Sequence, residues 1–460
     1  MITHCLKQDR GFYRETLLLM LPLVLQNLVT NFMALADTFM VGGLGEVELA
    51  AVSSANSLFY VVNLLIFGIQ SGAGVLVAQY YGRGNQEAIN RVMGMGYYIS
   101  IAFTTVVALC AFFFPVQIMQ VLTNNSALWE PGADYARIVG FSYVCMACSG
   151  VYIAVQRSME NPRLGAILLT VSGAMNIVLN YMLIYGEWGA PAMGCAGAAL
   201  ATLISRAFEV VVIVIYAAKN KRLRLSAGSM LRPGRQIAAD FMRYSLPVVL
   251  NEGLWSLATT LFSIIMGHMD NSTPILAAYT IAGNIDKMCA VALLASGNTA
   301  AIIIGREIGR DADRDEIYAK GVALNFVCFL TGVFSMLLLL TVRATLLDSF
   351  VYPLMDISSE AGRIAKYMLL LIALVMPLRS VNLCNVVGVF RGGGDVKFAL
   401  LVDVGPLYCI CVTSAALCGL VFGLGIEAVY VCIVFDDIAK TFLCLPHLRR
   451  GKWINSVTRA

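Results

Sequence analysis

The sequence predicts an all-α integral membrane protein of twelve transmembrane helices, built as two parallel six-helix repeats. Three observations predict it. Hydrophobic residues make up 59% of the 460 positions and charged residues 13%, with a mean hydropathy of +0.78, whereas soluble domains carry roughly 25% charged residues. The apolar residues fall in blocks of about 20 or more, the length that crosses a ~30 Å hydrocarbon core. The second half of the chain also repeats motifs of the first. Barrel strands would alternate in polarity over ~10 residues; these blocks are apolar all round.

Taken in order, the first six spans are expected at 17–41, 51–80, 94–121, 135–156, 164–186 and 195–218. The second six are expected at 240–267, 275–304, 321–346, 363–390, 397–421 and 427–447. A charged leader (Lys7, Arg10, Arg14) precedes the first block. That block is too long for the apolar core of a cleavable signal peptide, so none is expected. Gly82-Arg83 closes the second span, and Arg157 through Arg163 follows the fourth. The longest connection, Lys219 to Arg243, is basic and divides the chain nearly in half. It reads as a cytoplasmic linker held near anionic headgroups. Gly309-Arg310 closes the eighth span, and Arg391 through Lys397 follows the tenth. The expected organisation is an amino-terminal lobe over 1–218, a linker over 219–239, a carboxy-terminal lobe over 240–448 and a cytoplasmic tail over 449–460.

Orientation follows from Lys and Arg in the connections. One set, which includes both termini, holds 24 of them; the other holds only Arg343 and Arg363. Both termini are therefore expected in the cytoplasm. The net charge of +4 is spread over many short loops, which argues against a nucleic-acid-binding patch. Thirteen cysteines lie mostly inside apolar blocks, among them Cys110, Cys289, Cys328 and Cys411, where cysteine acts as a small hydrophobe. Cys145 and Cys148 form a C-x-x-C inside a span and read as packing residues. His4, His268 and His447 make no metal-ligand spacing, and no metal or other cofactor is expected.

The repeat is specific. Leu21-Pro22-Leu23-Val24-Leu25 matches Leu246-Pro247-Val248-Val249-Leu250, and Leu49-Ala50-Ala51 matches Leu276-Ala277-Ala278. Gly82-Arg83 matches Gly309-Arg310, and Arg157–Arg163 matches Arg391–Lys397, all at offsets between 225 and 234 residues. An offset of six helices preserves orientation, so the repeats run parallel about an axis along the membrane normal. Proline frees a backbone carbonyl and permits a kink, and Pro22 and Pro247 stand at equivalent places.

Several segments resemble the multidrug and toxic compound extrusion (MATE) family. They are Pro22 … Asp37-Thr38-Phe39-Met40-Val41-Gly42 … Gly45 with Leu49-Ala50-Ala51-Val52, and Gln79-Tyr80-Tyr81-Gly82. To these add Asn176-Ile177-Val178-Leu179-Asn180 … Gly194 … Gly197-Ala198-Ala199-Leu200-Ala201-Thr202, and Phe390-Arg391-Gly392-Gly393-Gly394-Asp395. They run in the right order over nearly the whole chain and look most similar to the bacterial branch with a helix 1 aspartate. The resemblance implies two lobes forming a V-shaped cleft in a bacterial inner (plasma) membrane. It further implies export of amphipathic organic cations and related drugs, driven by inward flow of H⁺ or Na⁺. A monomer bound to lipid bilayer and small drug-like molecules, and not to nucleic acid, is expected.

An ionisable residue within a span marks a functional candidate. Asp37, in the outer part of helix 1, sits in an apolar wall that disfavours the carboxylate, and a carboxyl titrating near neutrality can carry a proton inward. Asn176, Asn180 and Thr202 resemble the polar partners of that aspartate; Asn176 and Asn180 share one helix face. Related members often carry aspartate in place of Asn180, which leans the reading towards H⁺. Glu252 resembles the family's helix 7 glutamate and stands at the counterpart of Asn27. Asp286 is a candidate second carboxyl near Glu252. Arg379, Asp403, Asp436, Asp437 and Lys440 read as a charge network, structural or a gate. Arg206 and Glu209, at i and i+3, read as a structural pair. Met33, Phe59, Tyr60, Phe262, Met266 and Tyr279 lie on helices expected to line the cleft, where adaptable side chains suit promiscuous binding. The Gly392–Asp395 segment lacks the lysine of a phosphate loop and reads as a tight turn.

Two alternatives stand beside cation-coupled antiport. A lipid-linked saccharide flippase of the same superfamily is implied by fold likeness, but such proteins usually have fourteen helices and an arginine-rich cavity. A membrane enzyme lacks any nucleophile or acid–base cluster here.

Overall fold

The structure, a computed structural model, describes residues 8–347 and 358–458. The spans follow in order as α1 (Arg10–Gly42), α2 (Glu46–Gly82), α3 (Gln86–Phe113), α4 (Trp129–Ser158), α5 (Pro162–Tyr185) and α6 (Gly194–Lys219). Then come α7 (Arg235–Gly267), α8 in two pieces (Ser272–Cys289 and Val291–Gly309), α9 (Arg314–Leu346) and α10 (Ser359–Leu383). A π-helical stretch, Cys384–Phe390, extends α10; α11 starts at Val396–Pro406 and runs on with π turns to Val421; α12 is Ile426–Arg450. Among the described residues, eleven helices are long and apolar enough to cross a membrane. The twelfth, α12, carries Asp436, Asp437 and Lys440 in its middle.

Two boundaries differ from the sequence expectation. The sequence carries the third span to 121, but α3 ends at Phe113 and Pro115 opens a separate short helix, Pro115–Leu122. Proline cannot donate to the helix ladder and pushes the preceding residue out of the helical region, yet it fits the first position of a new helix. The eighth span, expected as one piece over 275–304, breaks at Ala290, where Leu293 N bonds the Ala290 carbonyl at 3.0 Å. Elsewhere local chemistry sets the ends. Asn85 caps α3 through Ala88 N at 3.0 Å, and Gly186 ends α5 in the left-handed region at φ 78°, where glycine has no Cβ penalty.

The chain packs into two compact units, Met1–Val24 with Leu250–Ala460, and Leu25–Val249. The sequence alone places the lobe boundary in the linker at 219–239. Packing instead divides the chain inside α1, just after Pro22, and inside α7, just after Pro247. In the unit Leu25–Val249, α4 packs against α2, α3 and α6, and α5 against α6. In the other unit, α10 takes the same place: it packs against both pieces of α8, against α9 and against α12. The start of α1 is held in that unit by Glu15, which accepts from Arg306, itself 5% exposed and bonded to Glu307.

The linker is docked rather than loose. Asn90 Nδ2 bonds the Arg224 carbonyl at 3.0 Å and Tyr98 OH the Leu231 carbonyl at 3.1 Å. A Cβ on Gly94 would lie 2.2 Å from the Met230 carbonyl oxygen, so only glycine admits this approach. The tail is equally anchored. Trp453 is fully buried, its Nε1 donating to the Leu448 carbonyl at 3.1 Å, while Asn455 N bonds Gly393 O at 2.9 Å. The Gly392–Asp395 segment is indeed a tight turn, and Asp395 caps α11 and pairs with His447 Nε2 at 2.9 Å. Truncating Trp453 to alanine empties a large packed volume and is expected to cost about 3–5 kcal/mol. A melting temperature in detergent that stayed at the wild-type value would contradict that anchoring role.

Candidate functional site

In the unit Leu25–Val249, the sequence candidates meet. Asn180 Nδ2 donates to Asp37 Oδ1 and lies 3.3 Å from Asn176 Oδ1; Asn176 Nδ2 reaches Thr202 Oγ1 at 3.5 Å. Their positions follow from helix geometry. Asn176 and Asn180 are one turn apart on α5 and face α6, and Thr202 is two turns into α6, its hydroxyl also donating to the Ala198 carbonyl at 3.0 Å. Both asparagines are almost wholly buried, and among the described residues Asn180 Oδ1 has no donor. A buried acceptor without a donor is costly. Asn180 thus donates to the Asp37 carboxyl while its own amide oxygen stays without a donor.

One turn further along each helix lies a second buried cluster. Glu209, 1% exposed, accepts Ser172 Oγ at 2.6 Å, Ser149 Oγ at 3.0 Å and Arg206 Nη1 at 2.9 Å. The ion pair is legible as an i, i+3 spacing; the two serines that complete it are not, because they come from α4 and α5.

In the unit with Leu250–Ala460, the carboxylates are arranged differently. Glu252 of α7 accepts Arg391 Nη2 at 3.0 Å, and Asp286 of α8 binds the Arg379 guanidinium at 2.8 and 3.0 Å. Each carboxylate thus touches an arginine. Arg391 is only 2% exposed although the sequence puts it in a loop; the helix runs on past the π-helical stretch to include it. Such stretches recur at functional sites. Lys440 bridges Asp403 at 2.7 Å and Asp436 at 2.6 Å. Asn251, inconspicuous in the sequence, donates to Asp403 Oδ2 at 2.7 Å, and Asn382 Nδ2 bonds the Asp437 carbonyl at 2.7 Å. Five carboxylates (Glu252, Asp286, Asp403, Asp436, Asp437) therefore share three cations, Arg379, Arg391 and Lys440. Asp436 Oδ1 and Asn251 Oδ1 find no donor among the described residues.

The two clusters occupy matching places with opposite sign. Ser172, Arg206 and Glu209 stand at one constant offset from Asp403, Asp437 and Lys440. A carboxylate in one repeat therefore takes the place of an ammonium in the other.

The residues expected on the cleft wall separate. Phe59, Phe262 and Met266 are buried in the cores of their units, Phe59 stacked on Tyr143 at 4.6 Å. Met33 packs over Gly173, where any Cβ would meet its sulfur at 2.5 Å. Tyr60 is 47% exposed, and Tyr279 is half-buried against the α8–α10 core.

An all-helical, multi-pass membrane fold with buried carboxylates in both repeats defines a membrane transporter. Comparison with known proteins gives the family. The MatE family profile matches residues 22–182 and 247–410, and the chain belongs to the multidrug and toxic compound extrusion family. It is 26% identical over 328 residues to the probable multidrug resistance protein YoeA of Bacillus subtilis, covering 70% of each chain. It is 22% identical over 444 residues to the probable multidrug resistance protein NorM of Thermotoga maritima, covering 96% of this chain and 93% of that one. The outward-facing conformation of a multidrug resistance MATE family transporter superposes with a TM-score of 0.83 at 18% identity, over 97% of this chain and 96% of that one.

Proposed function

We propose that this protein is a multidrug antiporter that exports amphipathic organic cations in exchange for inward H⁺ or Na⁺ by alternating access. The observation that carries the reading is the buried Asp37–Asn180–Asn176–Thr202 chain with its donorless amide oxygen. A cation arriving from outside binds at Asp37, neutralises it and leaves on the opposite side. With an amide at position 180, the chain holds one carboxylate, which favours H⁺ over Na⁺ there. The second set, with five carboxylates on three cations, is suited to the positively charged substrate or to further coupling ions. Both termini lie in the cytoplasm, as the loop charges support, and the membrane is the bacterial plasma membrane, in keeping with the bacterial relatives.

The test is transport of ethidium by the purified protein in liposomes, under a pH gradient alone and then under a Na⁺ gradient alone. Transport under the pH gradient is expected to exceed that under the Na⁺ gradient. Failure of both gradients to drive transport would remove the antiport reading.

A further inference from the structure

Glu209 lies deeper in the protein than Asp37, and it is held by three donors from three helices. Its environment connects to Asp37 by a continuous polar seam. Ser172, Asn176 and Asn180 follow one another at four-residue steps on α5, as do Thr202 and Arg206 on α6, so each series lies along one helix face. Asp37 contacts Asn180, Asn180 contacts Asn176, and Asn176 contacts Thr202. One helical turn, about 5.4 Å, then leads to Arg206, whose guanidinium binds Glu209 and acts electrostatically on Asp37. Among the described residues, the other groups facing the seam carry no charge at neutral pH. From α4 these are Tyr135 beside Asp37, Tyr143 beside Arg206 and Cys145 beside Glu209. From α2 they are the amides Asn56 and Asn63, which bond Tyr135 and Tyr143. The seam thus holds two carboxylates and one guanidinium.

We propose that Glu209 is a positioning residue that holds Arg206 off Asp37, so that this unit keeps one exchangeable negative charge and takes up one monovalent cation per turnover. The inference rests on the reading of Asp37 as the coupling carboxyl. Without Glu209, the guanidinium one turn away becomes the counter-ion of Asp37 and competes with the incoming cation. Arg206 Nη1 reaches both Glu209 oxygens, at 2.9 and 3.2 Å, a charge-assisted contact that holds the guanidinium at Glu209. Ser149 and Ser172 fix the carboxylate in turn.

The experiment is the pH profile of ethidium transport by the full-length protein in liposomes. Glu209→Gln keeps one acceptor oxygen for one serine, offers its NH2 to the hydroxyl oxygen of the other, and removes the charge that holds Arg206. Its half-maximal transport is expected about one pH unit lower than wild type, since an adjacent cation favours ionised carboxylate by roughly 1–3 units. Replacing Arg206 as well, in Arg206→Gln/Glu209→Gln, removes the competing cation and is expected to return the midpoint to the wild-type value or above, with transport retained. The double variant carries no buried unpaired charge, so it tests the inference even where the single variant fails to fold. A purely structural role would lower the amount of active protein and leave the midpoint in place. An unchanged midpoint in Glu209→Gln, or a folded double variant without coupled transport, overturns the inference. Asp37→Asn in the same vesicles separates the two ideas. Wild-type transport by Asp37→Asn sinks the reading of Asp37 as the coupling carboxyl, whereas an inactive Asp37→Asn beside an unshifted Glu209→Gln sinks only the role of Glu209.

Discussion

Asp37→Asn is expected to reduce gradient-driven ethidium transport in liposomes to that of protein-free vesicles, while the protein still folds. Asparagine is nearly isosteric with aspartate and can still accept from Asn180 Nδ2, the contact that ties α1 to α5. It has no charge to neutralise and no proton to carry, so only the coupling is lost. The melting temperature is expected close to wild type, because an amide is easier to bury than an ion. Coupled transport at the wild-type rate would show that Asp37 is merely a hydrated helix-end residue.

The second large effect concerns stability. Lys440→Met is expected to destabilise the protein by about 3–5 kcal/mol, the usual cost of stranding a buried charge. Lys440 is 5% exposed and is the shared cation of Asp403 and Asp436. Adding Asp403→Asn and Asp436→Asn removes the stranded charges and should restore most of the loss, read as the melting temperature in detergent. If the triple variant regains stability but not transport, the cluster belongs to the coupling machinery. If it regains both, the cluster is structural. Lys440→Met melting at the wild-type temperature would mean that the two aspartates find other counter-ions.

Much of this arrangement is readable from the chain alone. Spans longer than 20 apolar residues have few alternatives to a membrane helix, and the repeat pairs them six by six. Asp37, Asn176, Asn180 and Thr202 can be gathered because two lie one turn apart and the family resemblance supplies the others. What sequence does not supply are contacts made across helices by small polar residues. Ser149 and Ser172 look like ordinary polar residues in apolar helices until Glu209 is placed between them. Arg391 looks like a loop residue because it stands beside three glycines just past the apolar block, yet the helix includes it. Phe59, Phe262 and Met266 are misplaced on a wall because aromatics and methionines fill cores and line binding surfaces with the same composition. The break at Ala290 also leaves no mark in the sequence, which places neither glycine nor proline there.

The duplicated sequence invites the idea that half a gene would make half a protein. The membership of α1 and α7 argues otherwise. A fragment ending in the linker would lack the start of α7, which belongs with Leu25–Val249, and would carry an orphaned start to α1. The complementary fragment would begin without Met1–Val24, part of its own compact unit. Severed polypeptides produced together should assemble and protect each other from proteolysis, while either produced alone should be degraded. With the start of each of these two helices packed in one unit and its remainder in the other, neither half of the chain is a complete folding piece.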